Sequence, residues 1–242
     1  MKELLLRRRG FDPILYFPKA VNNPDNIELA LIGGSLIDYS PKGHVPINTT
    51  DLLEVSSFDS GLGKGSLATG SNRRLNYGTL LAEPNLDEFT FELYLYLTSY
   101  VVQSPKYAYL FGKGDGINPQ DYSSWLLANN ETTNYVSIWP NGSSGSSSYL
   151  PGNIEFNKLY HFAWCRKNNA TDSTMMLFLN GVLNSNIVTI QKTKAFLAGS
   201  TPFTIGDRAA GSVYNQYPWN GYIMGFRYTK GECVYTNDFV VF

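Results

Sequence analysis

The chain of 242 residues predicts an all-β fold, a two-sheet antiparallel sandwich, and three observations carry that prediction. Short runs in which apolar and polar residues alternate recur along most of the chain, while helical spacing is nearly absent. Clusters of Gly, Pro, Asn and Ser punctuate the runs, as antiparallel turns require. Composition agrees: 22 Gly, 12 Pro, 17 Tyr and 14 Phe against only 16% charged residues describe a folded, turn-rich and aromatic chain.

Taken in order, residues 1–26 differ in character from the rest. Lys2, Arg7, Arg8 and Arg9 bracket three leucines, and Phe11, Tyr16 and Phe17 follow. A polar link with one proline then runs through residues 22–26. This segment reads as an arm ahead of a single domain over residues 27–242. The clearest strand is 89–97, where Phe89, Phe91, Leu93, Leu95 and Leu97 share one face and Thr90, Glu92, Tyr94 and Tyr96 the other, half-exposed one. Further strands are expected over 107–112, 124–128, 134–139, 159–167, 174–179, 203–205 and 222–228. Between the last strands, Asn180-Gly181 fits a type I′ hairpin, whose two central residues need positive φ. Residues 142–148, all Gly and Ser, read as a mobile tip.

Several classes are excluded early. A net charge of -1 and a pI near 6.1 leave no field to attract nucleic acid. No stretch approaches the roughly 20 apolar residues of a membrane span, and charge follows the three N-terminal leucines where a signal peptide would stay apolar. The chain is therefore expected to be made in the cytoplasm without a secretory signal or membrane insertion. Asn-x-Ser/Thr triplets at Asn48, Asn130, Asn141 and Asn169 then read as loop composition rather than glycan acceptors. The two cysteines, Cys165 and Cys233, lie in apparent strands and read as small buried residues.

Several segments resemble one known family. Residues 31–44 resemble the opening strand and D-x-S-x-x-G-H turn of laminin-G-like jelly rolls, with Asp38, Ser40, Gly43 and His44 in place. Residues 63–67 resemble the start of their next strand, and Phe89-Thr90-Phe91-Glu92-Leu93 resembles their F-T-x-E strand. Residues 159–166 are similar to the W-x-H-x-A-x-x-R strand, with Leu159 in place of Trp, and Leu177-Phe178-Leu179-Asn180-Gly181 matches the hairpin that follows. The most specific part is the ending. Residues 219–239 resemble the closure G-x-I-x-x-x-R-x-T-K-G-x-x-R-Y-T-x-x-F of laminin-G-like domains in tailed-phage virion proteins. Val234 stands where Arg is usual, and Phe239-Val240-Val241-Phe242 replaces a Pro-rich end, which suggests a C-terminus adapted to pack on something. The resemblance covers residues 27–242 and implies a jelly-roll sandwich of the concanavalin-A-like lectin and glucanase superfold.

Candidate sites are then weighed against plainer readings. Glucanases of this superfold need carboxylates alternating along one strand. Here the run is Glu88, Thr90, Glu92, and the central acid is missing, so no catalytic residue is assigned. Many laminin-G-like domains hold a calcium ion, and Asp115 and Asp207, each beside Gly, are its candidate ligands; the plainer reading is a turn aspartate. No other cofactor is expected. Sugar or protein contact is assigned to the aromatics Tyr94, Tyr96, Trp125, Trp139, Tyr149, Tyr214, Tyr217 and Trp219, with Tyr135 beside them; the plainer reading is core or rim packing.

The functional expectation is a non-enzymatic phage virion protein, on capsid or tail. Its arm (Lys2, Arg7, Arg8, Arg9, Phe11, Tyr16, Phe17) would anchor it to other virion proteins, and its jelly roll would touch host surface glycans. A multimeric state in the particle goes with that reading. The alternative is a free lectin-like protein, whose glycan binding would be lost on changing Trp139 or Trp219 to Ala.

Overall fold

Alternation in the chain becomes two stacked antiparallel sheets. The structure is a computed structural model and describes residues 16–48, 50, 52–62, 65–70, 73–81, 86–100, 107–113, 122–129, 133–139, 148–150, 154–185, 187–193, 202–207 and 219–241. The larger sheet contains β1 (Ile27–Ile32), β2 (Glu54–Ser56), β3 (Ser66–Ala68), β5 (Phe89–Tyr100), β10 (Leu159–Asn168), β11 (Asp172–Leu179), β12 (Val182–Leu183), β13 (Val188–Gln191) and β15 (Trp219–Lys230). Its strand order is β12-β11-β10-β5-β15-β3-β2, with β1 also on β15 and β13 on β11. The smaller sheet contains β4 (Leu75–Gly78), β6 (Tyr107–Lys113), β7 (Tyr122–Asn129), β8 (Thr133–Trp139), β9 (Ser148–Leu150) and β14 (Phe203–Ile205), in the order β4-β14-β6-β7-β8-β9. Neighbours on these paths that lie far apart in sequence, β5 beside β15 and β4 beside β14, make this a jelly roll rather than a meander.

β5 and β15, each 12 residues long, form the spine of the larger sheet and pair from Phe89↔Lys230 to Tyr100↔Trp219. The β5 face carrying Phe91, Leu93, Leu95 and Leu97 meets Leu110, Phe111, Phe203 and Ile205 of the smaller sheet, closing the main core. At its centre the Phe91 ring stacks on Tyr228 at 4.3 Å and on Trp164 at 5.6 Å. Such aromatic pairs add about 0.5–1.5 kcal/mol each beyond their area. The hairpin expected at Asn180-Gly181 is present, with φ of 50° and 82° at the two residues.

The motif at Asp38 has a structural explanation. Its carboxylate accepts from the backbone N–H groups of Ala30 (2.9 Å), Ser40 (2.8 Å) and His44 (2.7 Å) and from the Ser40 hydroxyl (2.7 Å). One side chain thus ties the 38–44 loop back onto β1. The cysteines are both free and buried, as expected, but only Cys165 lies in a strand, Cys233 following the end of β15.

Two expectations are corrected. From Thr90 to Tyr94 the outer face of the larger sheet is buried rather than half-exposed, and Glu92 is 0% exposed there. Moreover, the packing of the domain reaches back past residue 27 to Tyr16, so the end of the expected arm belongs to the folded body. One cause serves both corrections. Residues 16–22 and 233–241 lie across the outer face of the larger sheet as a third layer. Phe17 packs there with Tyr94 and Met224, while Val21, Val234 and Tyr235 pack with Ala163, Cys165 and Phe178. Two glycines make the close approach feasible. A Cβ on Gly225 would lie 2.6 Å from the Tyr16 ring, and one on Gly181 would lie 1.9 Å from the Phe239 carbonyl oxygen. The adapted C-terminus thus packs on its own sheet: Phe239 stacks on Tyr235 at 3.9 Å and its N–H donates to Gly181 O at 2.9 Å.

Candidate functional site

Beneath the terminal layer lies a buried charged cluster. Register places Arg227 opposite Glu92 on β15 and β5, and His161 opposite Tyr94 on β10. Arg227 donates to Glu92 Oε1, while Oε2 accepts from the Tyr235 hydroxyl at 2.6 Å and lies 3.3 Å from His161 Nε2. The remaining arginine contacts come from the N-terminal segment: Nη2 donates to Lys19 O at 2.8 Å and the guanidinium sits 4.7 Å from the Phe17 ring centroid. Burial alone would raise the Glu92 pKa, but the Arg227 charge, then His161 and Tyr235, hold it below the usual carboxylate value. Burial, then the negative charge of Glu92, pushes the Tyr235 hydroxyl up. The carboxylate is therefore ionised, saturated with donors and closed to a substrate. This cluster holds the third layer to the sheet.

Sequence reasoning missed the cluster, though a signal was present: Glu92 and Arg227 sit at outward positions of the two longest strands, yet both chain ends are rich in apolar residues able to cover them. His161 is a packed strand residue, as expected, and is fully buried.

The aromatic candidates divide. Trp219 is 0% exposed and its Nε1 donates to Tyr109 O at 2.9 Å, so it is a core residue. Tyr94 is buried against Phe17, whose ring stacks on it at 5.8 Å, because the N-terminal segment covers it. Neither offers a surface. Tyr96 is half-buried beside Phe58 and Tyr222, whose rings stack at 4.1 Å. Tyr16 and Phe17 are part of the domain, with the Tyr16 hydroxyl donating to Met224 O at 2.6 Å. Lys2, Arg7, Arg8, Arg9, Phe11, Asp115, Tyr214 and Tyr217 lie outside the described residues. Asp207 is buried. Among the described residues, no group of three or more His, Cys, Asp and Glu is placed to hold a metal ion.

The other candidates fall together by register. In the smaller sheet Tyr109, itself buried, pairs with Trp125, Trp125 with Ser137, and Ser137 with Tyr149, one row across β6, β7, β8 and β9. Trp139 and Tyr135 pair with Ser123 and Leu127, two residues either side of that row, so they share its face of the pleat. Four sequence-nominated aromatics, Trp125, Tyr135, Trp139 and Tyr149, are thereby gathered on one face.

No family model matches the chain, and no curated protein matches it. Solved structures do. The binding domain of botulinum neurotoxin serotype D matches over 91% of this chain and 50% of its own, at 11% identity and TM-score 0.52. The carbohydrate-binding module CBM40 of the Ruminococcus gnavus IT-sialidase, solved with α2,3-sialyllactose, matches over 70% and 90%, at 17% identity and TM-score 0.46. Tailspike protein 2 of an Escherichia coli O157:H7 bacteriophage matches over 69% of this chain but 23% of its own, at 11% identity and TM-score 0.48. At such identities the likeness shows the fold: the chain is an all-β, two-sheet antiparallel jelly-roll sandwich.

Proposed function

We propose that this chain is a non-enzymatic binding module of a phage virion surface. It takes host glycans on the aromatic row across β7, β8 and β9 and joins virion partners through residues 1–15. The observation that carries the glycan reading is the register that brings Trp125, Tyr135, Trp139 and Tyr149 to one face across β7, β8 and β9. Aromatic faces stack on pyranose rings, and strands about 4.8 Å apart set Trp125 and Tyr149 roughly 10 Å from each other, room for more than one sugar ring. Against hydrolysis stand Thr90 in place of a central acid and the closure of Glu92 by Arg227, Tyr235 and His161. The virion setting rests on the phage-like closure at residues 219–239.

The full chain on a glycan array should bind a defined set of oligosaccharides, and Trp125→Ala and Trp139→Ala should each abolish binding while leaving Tm within a few degrees. No binding, or binding indifferent to both substitutions, overturns the glycan reading. For anchoring, the informative deletion stops before Tyr16. Removing residues 1–26 would also strip Phe17 and Val21 from the terminal layer and expose the Glu92 cluster. A chain lacking only residues 1–15 should fold and fail to join particles. Normal incorporation would refute anchoring and favour a free lectin-like protein.

A further inference from the structure

Cys165 and Cys233 are free, buried and brought together by Thr90. Thr90 pairs directly with Cys165 across β5 and β10, and its Oγ1 lies 3.4 Å from Cys165 Sγ. The same Oγ1 donates to Glu232 O at 3.0 Å and accepts from Val234 N–H at 2.9 Å, the residues on either side of Cys233. Cys233 is thereby seated beside Cys165 in one buried cluster. The first belongs to the middle of the larger sheet and the second to the root of the C-terminal segment that covers it.

We propose that Cys165 and Cys233 close into a disulfide when the folded protein meets a disulfide oxidant such as glutathione disulfide, converting the packed C-terminal layer into a covalently fastened one. One cysteine thiolate attacks the oxidant's S–S bond and displaces one glutathione thiolate. The second cysteine thiolate attacks the resulting mixed disulfide at the protein sulfur and displaces the other glutathione. Two protein thiols are oxidised, one glutathione disulfide is reduced to two thiols, and the thiol protons pass to solvent or to the departing thiolates. Burial pushes the Cys165 thiol well above its ordinary pKa. Its thiolate is scarce, and the oxidant must wait for the 233–241 segment to lift, so closure is slow and, once made, persistent. A protein assembled in a reducing cytoplasm and released outside would acquire this bond after assembly.

The test uses the full chain, incubated without denaturant in glutathione disulfide or in dithiothreitol, then alkylated in denaturant and weighed intact. Both thiols should disappear together over hours, with a mass loss of about 2 Da, no glutathione adduct, and a 165–233 cross-linked peptide after digestion. Tm should rise by roughly 5–15 °C over the reduced protein, since the bond closes a long loop. Cys165→Ala and Cys233→Ala, each confirmed as folded by circular dichroism, should lose the cross-link and the Tm rise. Thiols that stay fully alkylatable, a stable double glutathione adduct, or a cross-link that forms only in denaturant would each overturn the proposal.

Discussion

Replacing Arg227 by Met keeps most of the side-chain stem and removes the charge that Glu92 faces. In the native protein Glu92 is fully buried, with Arg227 on Oε1, and Tyr235 at 2.6 Å and His161 at 3.3 Å on Oε2. Removing one partner of a buried pair costs about 3–5 kcal/mol, because the other charge stays behind unpaired. For a chain of this length that is a fall in Tm of roughly 10 °C. The pH dependence is more diagnostic than the size. Native Glu92 has a pKa below its unfolded value of 4.5, so its contribution is present above that pH and is lost as the pH falls through the lower folded pKa. In Arg227→Met the largest lowering influence is gone and burial dominates, so the carboxyl moves above its unfolded value. That variant gains stability on protonation and loses it as the pH rises. Urea denaturation should therefore show a gap between native and variant that is widest near pH 7.5 and narrows towards pH 4.5. The double change Glu92→Met with Arg227→Met should recover much of the loss, since no buried charge remains. A gap under 1 kcal/mol, or one equal at both pH values, would refute the account of the cluster.

Two further substitutions test the parts around it. Asp38→Ala removes an acceptor for three backbone N–H groups and one hydroxyl; it should cost about 3 kcal/mol by chemical denaturation and release amide protection at Ala30 and Ser40 in hydrogen exchange. Gly181→Ala combines a φ of +82° with a Cβ 1.9 Å from Phe239 O, so it should lift the C-terminal segment. Faster carboxypeptidase trimming and earlier exchange at residues 239–241, with the sheet's own amides unchanged, would mark that; unchanged trimming would mean that the segment is held elsewhere.

What could be read in advance follows the range of the interactions concerned. The alternation in β5 and the Asn180-Gly181 hairpin are local facts, and both are present as expected, β5 merely running on to Tyr100. β2 and β9 have three residues each and β4 four, too few for a period-2 pattern to stand out. Tyr94 was placed correctly on the outward face of β5 and wrongly taken as a contact residue. Outward equals exposed only if nothing returns to cover the sheet, and the cover comes from the segment of Tyr16, Phe17 and Lys19, where the bonds of Tyr16 and Lys19 each span 208 residues of sequence. Trp219 shows the complementary difficulty. A tryptophan with a polar handle suits a wet interface and a satisfied core equally, and only its bond to Tyr109 O decides.

That distinction selects the experiment that can report on binding. Trp219→Ala would abolish glycan capture whatever the true site, because emptying a fully buried tryptophan costs about 3–5 kcal/mol and loosens the junction between β15 and β6. A loss of binding there would measure unfolding. Tyr94→Ala fails for the same reason, since it undercuts Phe17 and with it the N-terminal cover. The outer face of the larger sheet is taken up by the chain's own ends, fastened through Gly225, Gly181, Arg227 and Tyr235. A ligand needing a broad aromatic face is then better sought at the row through Trp125 and Tyr149, where the Tm of Trp125→Ala and Trp139→Ala, read beside binding, separates recognition from folding. If those two variants keep their glycan, the aromatic row does not recognise it, and recognition must be sought on the loops of the jelly roll.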